Sequence, residues 1–134
     1  MSPAYAPVFA ALHRRAFPHE PWDEAAFATM LAQPGMHGFI DERGGFLLLR
    51  IVLDEAEIIT IGVTTPRQGI ATALMTQGIA MCRAAGVGKI HLEVAEQNAP
   101  ARALYAAHHF TQTGRRKTYY ADGDAALTLS LDLR

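Results

Sequence analysis

One stretch limits the folds open to this chain more than any other. An apolar, β-branched run, Ile58–Val63, leads into a short loop carrying Arg67, Gln68, Gly69 and Ala71. The loop opens a helix of about 68–85, in which Ile70, Leu74 and Cys82, with Met75 and Ile79 beside them, form one apolar stripe. Gly86 then supplies a left-handed helix cap, and Val87–Ala95 is a second strand. Two strands joined through a helix lie parallel, with a right-handed crossover, so this βαβ unit is the centre of the fold. Anything bound at the helix start lies at the carboxyl end of a strand.

The loop itself admits two readings. The first turn of a helix leaves backbone N–H groups unpaired, and the helix dipole favours an anion there. Gly69 and Ala71 have almost no side chain, so a phosphate can approach the backbone. One reading is therefore a pyrophosphate cradle; the other is an ordinary strand–turn–helix with a Gly in the turn.

The rest of the chain is consistent with one domain over residues 1–134. Half of the residues are hydrophobic and 19% are charged, which suits a packed core. A formal net charge of -1 gives no electrostatic case for nucleic acid, and Arg115-Arg116-Lys117 reads as a solvated strand end. The single cysteine, Cys82, falls on the apolar stripe of the central helix, so it is expected in the core of a protein from a reducing compartment. No apolar run is long enough for a bilayer and no signal pattern opens the chain, so a cytoplasmic location is expected.

In order, residues 3–16 read as a helix, and two prolines hold the segment Phe17–Trp22 extended. Asp23 caps a second helix at 24–32. Trp22 either staples that helix or lines a substrate entrance. A short strand at 38–41 and a Gly-containing turn, Asp41-Glu42-Arg43-Gly44-Gly45, precede a strand at Phe46–Leu53 that is continuous in apolar residues and so buried on both faces. Asp54–Glu57 turns it back into Ile58–Val63, antiparallel, and Gly62 marks either a bulge or a close approach. Asn98–His109 is a helix with Asn98 as its cap, and strands at 110–120 and 125–133 close the chain around an Asp122-Gly123-Asp124 turn.

Glu93 is the unexpected residue, a carboxylate inside an apolar strand. Burial would raise its pKa toward the range of a general base, and His91 shares its face; the alternative is a salt-bridged strand Glu with a packed His. Tyr105, on the next helix, is either a core tyrosine or a proton donor. The six histidines have no metal-ligand spacing, so no metal is expected, and neither a Gly-x-Ser-x-Gly elbow nor a dinucleotide fingerprint is present.

Together, Arg67-Gln68-Gly69-Ile70-Ala71, Leu92-Glu93-Val94, Asn98, Leu104-Tyr105 and Phe110 follow an order that resembles the GNAT superfamily of acetyl-CoA-dependent N-acetyltransferases. Within it, Ala16-Phe17-Pro18, Pro21-Trp22, Asp54–Glu57 and Tyr119-Tyr120 are similar to the RimI type, the ribosomal-protein alanine N-acetyltransferases. The resemblance implies a mixed α/β, mostly antiparallel sheet in which two parallel strands splay apart in a V. It implies direct transfer of an acetyl group from acetyl-CoA to an amine, foremost the α-amine of a protein N-terminus. A small-molecule amine or a lysine side chain is the alternative acceptor, and an inert acyl-CoA sensor is the alternative of another class.

By the same resemblance, the backbone of Arg67, Gln68, Gly69, Ile70, Ala71 and Thr72 would hold the CoA pyrophosphate. Ile61, Gly62 and Val63 would pair with the pantetheine arm, a bulge there splaying the strands, and Asn98 would touch the cofactor. Glu93 would be the general base, through water, and Tyr105 would protonate the leaving thiolate. Trp22, Tyr119 and Tyr120 would shape the acceptor site of a monomer or homodimer. Three positions depart from the family pattern: Pro66 stands where a leading Arg or Gln belongs, the loop before Gly69 is about two residues short, and His109 replaces a Gly before Phe110.

Overall fold

The computed structural model describes every residue from 1 to 134 except Glu20, Thr118 and Ala121. The chain opens with a 3-10 turn, Pro3–Tyr5, that runs into α1 (Ala6–Ala16), and α2 follows at Glu24–Leu31. Asp23 caps α2 as expected, its Oδ1 accepting from the N–H of Ala26 at 2.8 Å. Then come β1 (Met36–Asp41), β2 (Gly45–Val52), β3 (Glu55–Val63), α3 (Ile70–Ala84), β4 (Lys89–Ala95), α4 (Ala99–Ala107), β5 (Thr111–Arg116) and β6 (Ala126–Asp132).

The strands form one six-stranded sheet in the order β1-β2-β3-β4-β6-β5. Only β3 and β4 are parallel, and they pair only at Glu55–Lys89, Ala56–Ile90 and Glu57–His91. Beyond that point β3 stays paired with β2 and β4 stays paired with β6, so the two central strands diverge while each keeps its outer partner. The V expected of the fold is therefore present, but its kink lies elsewhere than expected. Leu49 opposes Ile58 and Leu48 opposes Thr60, which leaves Ile59 as the extra residue of a bulge. Gly62 meets its other reading, close approach: a Cβ there would lie 2.8 Å from Phe46 and 2.9 Å from Phe17.

β2 is buried on both faces over Phe46–Leu49, as its unbroken apolar run predicts. Leu47 and Leu49 pack in the layer of α3 and α4, with Leu74, Met75 and Tyr105. Phe46 and Leu48 pack in the layer of α1 and α2, with Phe9, Phe27 and Leu31. Full burial of such side chains contributes roughly 2 kcal/mol each. Cys82 is fully buried on α3, and burial pushes its thiol pKa up.

Several boundaries differ from expectation for identifiable reasons. The β2–β3 connection is a two-residue turn, because Val52 already pairs with Glu55; Leu53 takes a left-handed conformation and is 92% exposed. The last two strands are shorter than read, ending at Arg116 and starting at Ala126, so Tyr119 and Tyr120 sit in a loop and not on a strand. Thr118, inside the expected strand, lies outside the described residues. The tip is a turn in which Gly123 donates to the carbonyl of Tyr120 and Tyr120 donates to that of Asp124.

Candidate active site

The divergence of β3 and β4 opens a cleft of about 1140 Å³. Its walls are Ile58–Val63 on one side and Leu92–Ala95 on the other, with the loop 65–72 at one end and α4 along the floor. Among the described residues, the edge of β3 that faces β4 has no ladder partner from Ile58 onward, which leaves backbone N–H and C=O groups for an extended ligand.

The backbone of the loop is left-handed at two positions. Gly69 precedes α3 with φ 72, and Arg67 also has positive φ, 63. An L residue in that region is disfavoured by roughly 1 kcal/mol, which Gly69 escapes. A Cβ on Gly69 would meet nothing within 4 Å, so the space beside it is free. The first bond back into the helix is Ala73 N–H to Gly69 O at 3.0 Å. Among the described residues, the N–H groups of Ile70, Ala71 and Thr72 have no such partner. All of Arg67, Gln68, Gly69, Ile70, Ala71 and Thr72 line the cleft, as do Ile61, Gly62, Val63 and Asn98. Asn98 keeps its ordinary role as well, its Oδ1 accepting from Ala101 N–H at 3.3 Å.

Glu93 and Tyr105 line the same cleft in opposite environments. Glu93 is exposed, so the desolvation expected for an interior strand residue is absent. The reason is tertiary: Leu92 and Val94 face the layer of α3 and α4, Glu93 points to the opposite face, and there the cluster built by α1 and α2 includes no residue of β4. Nor does His91 join it; the imidazole Nε2 lies 2.9 Å from Glu55, at the closed end where the two strands still pair. Tyr105 is 5% exposed, and burial, reinforced by Tyr120, pushes its pKa up to about 12.

The expected acceptor residues divide. Tyr120 lines the cleft, half-buried. Tyr119 is 50% exposed beneath the Arg116 guanidinium, 5.3 Å from its ring centre, and it does not line the cleft. Trp22 does not either. Its ring stacks on His13 at 4.8 Å and packs against Phe27 at 5.6 Å, which is the stapling alternative. His13 was not anticipated: it is buried, its Nδ1 accepts from Trp22 N–H at 3.1 Å, and burial pushes its pKa down. Phe17 and Ala16 line the cleft in place of Trp22. The aromatic character of Phe17 directly before a proline was the available signal. Arg115, read as solvated, makes a two-pronged ion pair with Glu96 at 2.6 and 2.9 Å.

Among the described residues no cluster of His, Cys, Asp or Glu is placed to hold a metal ion, and no helix is long and apolar enough to cross a membrane.

Comparison with known proteins agrees with this geometry. The model of the Acetyltransferase (GNAT) family matches residues 7–110. The chain is 33% identical over 109 residues to the [ribosomal protein bS18]-alanine N-acetyltransferase of Escherichia coli K12, covering 78% of this chain and 74% of that one. It is 34% identical over 125 residues to the N-alpha-acetyltransferase RimI of Mycobacterium tuberculosis, covering 84% and 77%. The crystal structure of the ribosomal-protein-S18-alanine N-acetyltransferase from E. coli superposes with a TM-score of 0.88 at 30% identity, over 99% of this chain and 90% of that one.

Proposed function

This chain belongs to the GNAT family of acetyltransferases, and from that premise we propose that it acetylates the α-amine at the N-terminus of a protein, in the manner of its ribosomal-protein relatives. The observation that carries the reading is the conjunction, in one cleft, of a free β3 edge and a loop with three unpartnered N–H groups. The edge suits an amide-bearing pantetheine arm, and the loop suits a pyrophosphate. Acetyl-CoA supplies the activated acetyl group as a thioester.

In this reading the chain contributes position and protons, not a nucleophile. Ile61, Gly62 and Val63 hold the arm in line, and a β3 N–H near the carbonyl stabilises charge developing on its oxygen. Residues 67–72 and Asn98 hold the phosphates and the neighbouring part of the cofactor. The Glu93 carboxylate takes the acceptor's proton through water, and Tyr105 keeps a proton at Oη for the leaving group throughout the neutral range. Phe17 and Tyr120 shape the acceptor end.

The attacking amine must arrive neutral, which suits an α-amine. A peptide α-amine titrates near 8 and a lysine near 10.4, so at pH 7 the α-amine is about two hundred times more often neutral. A ribosomal-protein acceptor would place the enzyme in the cytoplasm. Mass spectrometry of peptides that differ in their first residue tests the proposal. N-terminal acetylation of an alanine-led peptide is expected. Modification of lysines alone, or binding of acetyl-CoA with no acceptor modified, would overturn it.

A further inference from the structure

The hairpin between β1 and β2 reaches the cofactor loop, although no sequence signal joins them. Asp41, the last residue of β1, holds Arg43 at three points: Oδ1 accepts from the Arg43 N–H at 2.9 Å and from Nε at 3.0 Å, and Oδ2 accepts from Nη2 at 2.8 Å. The guanidinium so fixed directs Nη1 to the carbonyl of Gln68, 3.4 Å away. The next residue of the hairpin, Gly44, accepts from both Thr64 N–H, at 2.8 Å, and Thr64 Oγ1, at 3.0 Å. A Cβ on Gly44 would fall 2.1 Å from Thr64 Oγ1, so the fit requires glycine.

We propose that Arg43 is a positioning residue for the phosphate loop: the Asp41–Arg43 pair fixes the Gln68–Gly69 peptide so that the Gly69 N–H joins those of Ile70, Ala71 and Thr72 in facing the cofactor phosphates. The inference rests on the reading of residues 67–72 as the pyrophosphate cradle. In a planar trans peptide the C=O of Gln68 and the N–H of Gly69 point in opposite directions, so a carbonyl drawn to Arg43 turns that N–H away from the hairpin. Gly69 makes this peptide easy to flip, because glycine tolerates both signs of φ. A left-handed residue followed by a helical one presents successive N–H groups to one anion, but only while the peptide holds its orientation. The loop is thus held from the neighbouring hairpin at both Thr64 and Gln68.

Arg43→Ala, Arg43→Lys and Asp41→Asn test this. CoA binding is measured by calorimetry, acetyl-CoA KM and kcat by initial rates, and the Gly69 amide by ¹H–¹⁵N spectra of the free protein. Loss of one such hydrogen bond predicts a Kd and KM raised about fivefold in Arg43→Ala. Asp41→Asn is expected to shift the same way, and Arg43→Lys not to rescue, because an ammonium cannot grip Asp41 and reach Gln68 together. In all three kcat stays within about twofold, the melting temperature is unchanged, and the Gly69 amide resonance moves. If Arg43 instead contacted phosphate as a bare charge, Asp41→Asn would tighten CoA and lysine would rescue; either result overturns the proposal, as does an unchanged Kd in Arg43→Ala. A wild-type chain that binds no CoA at all would instead remove the cradle reading beneath it.

Discussion

The N–H of Phe110 donates to the carbonyl of Tyr105 at 3.1 Å, and the two rings meet with centroids 5.9 Å apart. His109 between them has φ 71 and donates to Ala106 O at 3.0 Å. These two bonds and the ring contact form a Schellman end to α4, which sets the phenol against the cleft floor. The conformation favours glycine. His109→Gly is expected to raise stability by up to about 1 kcal/mol without changing kcat, as read from urea unfolding and initial rates. A loss of stability would show that the imidazole has a compensating role.

Tyr105 and Glu93 are expected to be the residues whose loss costs the most rate without loss of fold. Tyr105→Phe should lower kcat on the order of 10²-fold while leaving the binding of CoA nearly intact, and Glu93→Gln should lower kcat/KM for the acceptor by a similar factor. Wild-type turnover would otherwise be limited by other groups at high pH, since the phenol stays protonated to about pH 12. The same shift has a stability consequence. The unfolded phenol ionises at 10.0 and the folded one at about 12, so stability is full below pH 10 and falls as pH rises through that window. The difference amounts to about 3 kcal/mol, and a comparison of wild type with Tyr105→Phe across pH 9–12 isolates it.

Gly62 is expected to be intolerant of any side chain. A Cβ at 2.8 Å from Phe46 and 2.9 Å from Phe17 displaces one ring or the other. Gly62→Ala should cost about 1–3 kcal/mol and raise the acceptor KM, because Phe17 lines the cleft. Adding Phe17→Leu should restore part of the stability. Additive losses in the double variant would place the clash elsewhere.

His13 should make the chain acid-sensitive. Its depressed pKa means that the unfolded chain takes up the proton first as pH falls below 6.5, so the contribution is complete above 6.5 and is lost on acidification. The rings packed around it are those of Phe17, Trp22, Phe27 and Phe46. His13→Gln, which keeps an acceptor for Trp22 N–H without titrating there, should flatten the fall in urea midpoint between pH 7.5 and 5.5.

The sequence alone determined the features that a few consecutive residues encode. The Asp23 and Asn98 caps, the glycine ends of α3 and the central strand–helix–strand unit all depend on groups within one or two turns of each other, so periodicity and capping chemistry suffice to read them. The βαβ unit with its Gly69 loop, and the order of motifs after it, also marked the family. The tertiary structure decided everything that depends on which edges and faces meet. Glu93 is open to solvent because the cluster built by α1 and α2 includes no residue of β4, and the cleft beside it opens because β3 leaves β4 after Glu57 while each keeps its outer partner. Trp22 turns to His13, a residue on the preceding helix, and Arg43, held by Asp41, reaches Gln68 from another hairpin. No local pattern records such pairings, because the energy that fixes them comes from contacts between segments that chain order keeps apart.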